Sequence, residues 1–137
     1  MKNDLTLAAK AVVGIDADAY AADNNGAAID MQGFESAVLA ISFGTAATGT
    51  VTFGVEESDD GLTGWTDVTG ASVILDGDSD DDSAHHATVR ADGVKRYIRV
   101  TADHSASNAA DYGVVALLIR GASSGEVATA DAPAFSV

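Results

Sequence analysis

The chain has no cysteine among its 137 residues. Disulfides, thiolate nucleophiles and cysteine-ligated zinc are removed together, which suits a protein assembled in a reducing cytoplasm. Basic residues are scarce: seven Lys and Arg stand against 21 Asp and Glu, a formal net charge of −14. Phosphate backbones and anionic lipid surfaces are bound through clustered cations, so neither nucleic acid nor membrane is expected as a partner. A spanning helix needs about 18 or more consecutive apolar residues, and the chain has no such run. Leu5–Val13 is mildly apolar, but Asp4 precedes it, Lys10 interrupts it, and Asp16 and Asp18 follow, so no secretory leader is expected. Aromatic residues make up only 6%, and Pro133 is the single proline.

What is present is small and apolar. Hydrophobic residues reach 47%, much of it Ala and Val, which is too high for a disordered acidic tail. The length suits one domain with a core that needs no covalent staple. Fourteen glycines fall between short apolar runs, where strands would turn.

In Ser36–Phe43 the residues Ala37, Leu39, Ile41 and Phe43 share one face. In Thr50–Glu57 the residues Val51, Phe53 and Val55 do the same. The two segments, joined by Gly44–Gly49, read as a β-hairpin with one buried face. Trp65–Val68 and Ser72–Leu75 read as two further short strands. Ala87–Ala91 and Lys95–Ala102, joined by Asp92-Gly93, carry a hairpin signal. Asp111–Arg120 is the last clear strand, with a continuously apolar run over Val114–Ile119. About seven or eight strands at this spacing predict an all-β fold, a sandwich or barrel. The expected division is an N-terminal arm over 1–25, a β-sandwich domain over 26–120 and a C-terminal tail over 121–137.

Catalytic patterns fail one after another. Gly121–Gly125 matches G-x-S-x-G, but no helix follows, and the last histidine, His104, lies upstream of the serine. The nucleophile reading falls to that of a Gly/Ser turn. Asp76, Asp78 and Asp80 have the alternate spacing a calcium loop uses, but Asp81 and Ala87 stand where that loop needs Gly and Glu. A solvated acidic turn over Asp76–Asp82 is the favoured reading. His85 and His86 are adjacent, so on a strand they point to opposite faces and do not share an ion. No enzyme activity, metal or cofactor is expected.

Four of the seven basic residues, Arg90, Lys95, Arg96 and Arg99, fall within ten positions. Lys95, Tyr97, Arg99 and Thr101 share one face of the expected strand; Ile98 and Val100 take the other. This positive ridge has two readings: ion pairs with the chain's own acids, or contact with an acidic neighbouring subunit, where Arg and Tyr are favoured.

Ala28–Ser36, Thr52–Gly61 with Trp65–Val68 close behind, and Gly93–Val100 together resemble the small β-sandwich structural proteins of tailed bacteriophages, in particular capsid decoration or cement proteins. The likeness spans about residues 26–120; the Asp76–Ser83 acid run and the alanine-rich ends depart from it. It implies an antiparallel, jelly-roll-like sandwich without catalysis. It implies a homo-oligomer, dimer or trimer, bound to the virion's capsid exterior, where it bridges adjacent major capsid protein subunits. On that reading the expected contact residues are Leu5, Leu7, Val12 and Val13 in the arm, the ridge of Lys95, Arg96, Tyr97 and Arg99, and Phe135 in the tail. The alternatives are a tail-associated phage module and a carbohydrate-binding module on the same sandwich.

Overall fold

A computed structural model describes residues 9–46, 48–106, 109–120 and 134–137. Nine strands follow in order: β1 (Ala9–Tyr20), β2 (Asn24–Asn25), β3 (Ile29–Asp30), β4 (Ser36–Ala46), β5 (Thr50–Ser58), β6 (Thr66–Asp76), β7 (Ser83–Arg90), β8 (Tyr97–His104) and β9 (Ala110–Ile119). They form two antiparallel sheets. The first has the order β1-β9-β4-β7; the second has β2-β8-β5-β6, with β3 also pairing β8. If β2 and β3 are read as one interrupted strand, this is the strand order of a jelly roll.

The alternation in the sequence builds the core. Ala37, Leu39, Ile41 and Phe43 of β4 point inward, as do Val51, Phe53 and Val55 of β5. From β8 and β9, Ile98, Val100, Val114, Ala116 and Leu118 complete the filling. With so few large side chains, a small aromatic cluster sets the spacing between the sheets. Phe53 meets Phe43 and Tyr112 edge-on, with ring centroids 6.2 and 5.1 Å away.

The strand faces follow the expected periodicity, but the pairings do not. Ser36–Phe43 and Thr50–Glu57 are not a hairpin: β4 lies in the first sheet and β5 in the second. The Asp92-Gly93 signal is not a hairpin either. Ala91–Gly93 is a 3₁₀ turn that carries the chain from β7 in one sheet to β8 in the other. Among the described residues, β5 and β6 are the one long pair both consecutive in sequence and hydrogen-bonded. In a jelly roll most connections cross between layers, so a turn signal marks a crossing rather than a pairing. Trp65 precedes β6, while residues 66–68 and Ser72–Leu75 prove to be parts of that single strand, with a register shift opposite Gly54 and Glu56.

The ends of the chain are also built into the sheets. Residues 9–20, assigned to an arm, form the full edge strand β1 along β9. Two register shifts, Val13/Ile15 and Ile15/Asp18, break its alternation. The last residues run parallel to β7, on its free edge. Thr88 and Arg90 donate their backbone N–H to the carbonyls of Phe135 and Val137, and Val137 N–H returns to Thr88. This short ladder covers an edge that would otherwise stand open.

Candidate functional site

The basic ridge, with Lys95 and Arg96 just ahead of β8 and Arg99 on it, is organised from within the chain. Arg96 makes a two-pronged contact with Asp30 on β3, through Nε at 3.1 Å and Nη2 at 2.9 Å. This holds the Asp30 carboxyl below the usual carboxylate range. Lys95 Nζ lies 3.0 Å from Asp59, which raises the lysine's pKa, and its backbone N–H binds Glu57. Arg99 pairs with Glu56, its register partner on β5, and its guanidinium lies 4.5 Å over the ring of Trp65. Arg96 in turn covers Tyr97 at 4.9 Å. Of the two readings of the ridge, ion pairing within the chain is the arrangement seen for Lys95, Arg96 and Arg99 alike.

Beside the ridge, the Ser58–Thr63 turn is tightly bonded. Asp60 accepts from the N–H groups of Leu62 and Thr63, both at 2.8 Å, and from the Thr63 hydroxyl. These donors hold its pKa well down. The fully buried Ser58 hydroxyl donates to the Thr63 carbonyl. Gly61 is needed here twice over: its φ is +73°, and a Cβ would come within 2.8 Å of the Tyr97 ring.

The chain ends divide. Leu5 and Leu7 lie outside the described residues. Val12 is half-buried against the core, whereas Val13 is 53% exposed. Phe135, expected as a contact residue, is buried in this chain's own core beneath the parallel ladder. Gly121–Gly125 lies outside the described residues.

Three carboxylates of the acidic turn bind backbone. Asp80 accepts from Asp76 N–H, Asp76 from Asp78 N–H, and Asp81 from Ala46 N–H. Among the described residues no group of three His, Asp or Glu side chains is placed to hold a metal ion. His85 bonds the Ser83 hydroxyl and pairs across from the inward-facing Ile41; His86 sits opposite the outward Ala40. His104 Nε2 lies 2.9 Å from the Tyr112 hydroxyl, whose pKa burial pushes up to about 12. An open groove of about 460 Å³ near Asp18, Ser42 and Asp111 contains no histidine to act as a base.

One surface was missed by reasoning from sequence. The outer face of the first sheet carries two rows that are apolar on β1, β9 and β4 and polar on β7. One row is Val13, Val115, Ala40 and His86; the next is Ala11, Leu117, Val38 and Thr88. Val115 is 46% and Leu117 40% exposed at the centre of the sheet. The continuous run Val114–Ile119 was the available signal, since an antiparallel strand with one wet face should alternate.

No protein-family model matches the chain, and no curated protein matches it in sequence. Its fold is similar to that of solved structures. The PBSX exported protein XepA aligns at TM-score 0.61 and 16% identity over 90% of this chain and 41% of XepA. A protein of the Bacillus endospore appendages, described as disulfide-linked pili, aligns at TM-score 0.52 and 18% identity over 83% of this chain and 88% of that one. The SPBc2 prophage-derived protein YomS aligns at TM-score 0.52 and 11% identity, covering 81% and 92% of the two chains. This chain thus spans about two-fifths of the length of XepA. At these identities the likeness establishes the β-sandwich fold.

Proposed function

We propose that this chain is a structural protein of a phage virion, binding the outside of the capsid and bracing the shell by bridging adjacent major capsid subunits. The observation that carries the reading is the jelly-roll sandwich itself, found where the sequence resembles phage decoration proteins. A prophage-derived protein and a pilus-forming protein of similar fold give it support. The role is mechanical. Many copies act together on one particle, so modest affinity at each site suffices. A net charge of −14 keeps the exterior hydrated and particles apart.

The carbohydrate-binding alternative loses ground on its aromatics. The Trp65 ring is covered by Arg99, and the Tyr97 ring lies between Gly61 and Arg96. Neither is an open platform for a sugar.

The test is to add the purified chain to isolated capsids and image the particles. Added density at symmetry-related positions outside the shell is the expected result. Binding confined to tails, or to a glycan array, overturns it. Deletion of residues 1–8, which leaves β1 whole, asks whether that stretch contributes to attachment.

A further inference from the structure

We propose that the outer face of the β1-β9-β4-β7 sheet is a self-association surface that seats against the same face of a second copy. This rests on the reading of the chain as a virion structural protein and names a surface for the homo-oligomer that the resemblance implies.

The first argument is charge. Each copy carries −14, so two copies repel wherever their acids meet. The two rows through Val115 and Leu117 contain no carboxylate. A contact there buries no acid and places the repelling groups at a distance, where salt screens them.

The second is anatomy. β9 is an interior strand, so Val115 and Leu117 stand at the centre of the face, flanked by Val13 and Val38. Thr88 and His86 lie toward the rim. An apolar centre with a polar margin is how stable protein contacts are arranged. By contrast Leu62 and Ile74, also exposed, lie away from this face, on the turn before β6 and on β6.

The third is size. Four strands and the C-terminal ladder, at about 4.8 Å each, and about seven residues of rise cover roughly 24 by 23 Å. Two such faces bury about 1,000 Å², the area a specific contact must reach. Small side chains leave the faces flat enough to stack as sheets do, about 10 Å apart.

The experiment uses the full chain in sedimentation and cross-linking. The wild type is expected to dimerise at micromolar concentration, and more tightly at 0.5 M than at about 0.05 M salt, the reverse of a charge-paired contact. Leu117→Asp is expected to raise the dissociation constant at least tenfold; Val13→Asp, on the edge strand, carries the same test if an acid at position 117 unfolds the chain. Because the chain has no cysteine, Val115→Cys gives a single thiol that a short bis-maleimide should link to its mate, and Ile74→Cys should not link. A wild type that stays monomeric overturns the proposal, together with the homo-oligomer reading. A dimer that ignores both acids, or links through Ile74→Cys instead, overturns this surface alone. A monomer whose shell binding is lost in Leu117→Asp gives the face to the capsid, and that too overturns it.

Discussion

A Cβ on Gly26 would stand 2.2 Å from the carbonyl oxygen of Gly14. The contact marks where the two sheets are stitched together: Gly26 N–H bonds Val100 of β8, and Ala27 N–H bonds Gly14 of β1. Backbone obstructs the added atom, so no side chain can move aside to admit it. Gly26→Ala is therefore expected to destabilise the fold by about 3 kcal/mol, the upper end of overpacking costs. Denaturant titration measures this as a lower midpoint with an unchanged slope.

Such closures are invisible in the sequence, and the reason is general to this fold. Alternation in Ser36–Phe43 and Thr50–Glu57 shows which residues face inward, because side-chain direction is local. It does not show which strand lies alongside. β4 takes β7 and β9 as its neighbours, and β5 takes β6 and β8. The ridge was legible as a cluster of cations, but its acids were not: Asp30 stands 66 positions from Arg96, among 21 candidates. The apolar face was half legible. Val114–Ile119 was readable as a strand, yet only the register shows Val115 and Leu117 turned outward.

Asp103 sits among acids. Burial first, then the charges of Asp23, Asp67 and Glu56, raise its pKa above the ordinary value. The folded chain therefore holds this proton more tightly than the unfolded chain does. Ionised Asp103 costs stability above its folded pKa, and the cost disappears below its unfolded pKa. Asp103→Asn should raise the melting temperature at pH 7, and the gain should fade as pH drops through the carboxylate range. The side chain is mostly solvated, so the effect is expected to be about 0.5 kcal/mol or less and to shrink with salt. Paired melts from pH 3 to 8 check it.

Arg96, just before β8, and Arg99 within it are three positions apart, yet they should differ in weight. The Arg96–Asp30 pair is nearly half exposed on both sides, whereas Arg99 and Glu56 are each 20% exposed. Arg96→Ala is expected to cost about 1 kcal/mol or less. Arg99→Ala also uncovers Trp65 and leaves Glu56 without its cation, next to Asp67 across the strand pair, so about 1–3 kcal/mol is expected. Trp65 is the only tryptophan, so a red shift of its emission in the folded Arg99→Ala protein reports loss of the stack.

Phe135 fastens the end of the chain to β7. Its ring is in the core, and its own carbonyl and that of Val137 accept from Thr88 and Arg90 N–H. Only a short ladder secures the segment, so Phe135→Ala should release it rather than leave a sealed cavity. The amides of Thr88 and Arg90 should then exchange with solvent much faster, because their partners leave with the segment. Amides of β7 that bond β4 should keep their protection, since that pairing runs unbroken from Ser36–Arg90 to Phe43–Ser83. Global stability should fall by about 1–3 kcal/mol, less than for a ring locked inside continuous structure. Hydrogen exchange resolved to single amides separates the two cases. Uniform loss of protection across β4 and β7 would mean instead that the ring holds the whole sheet together.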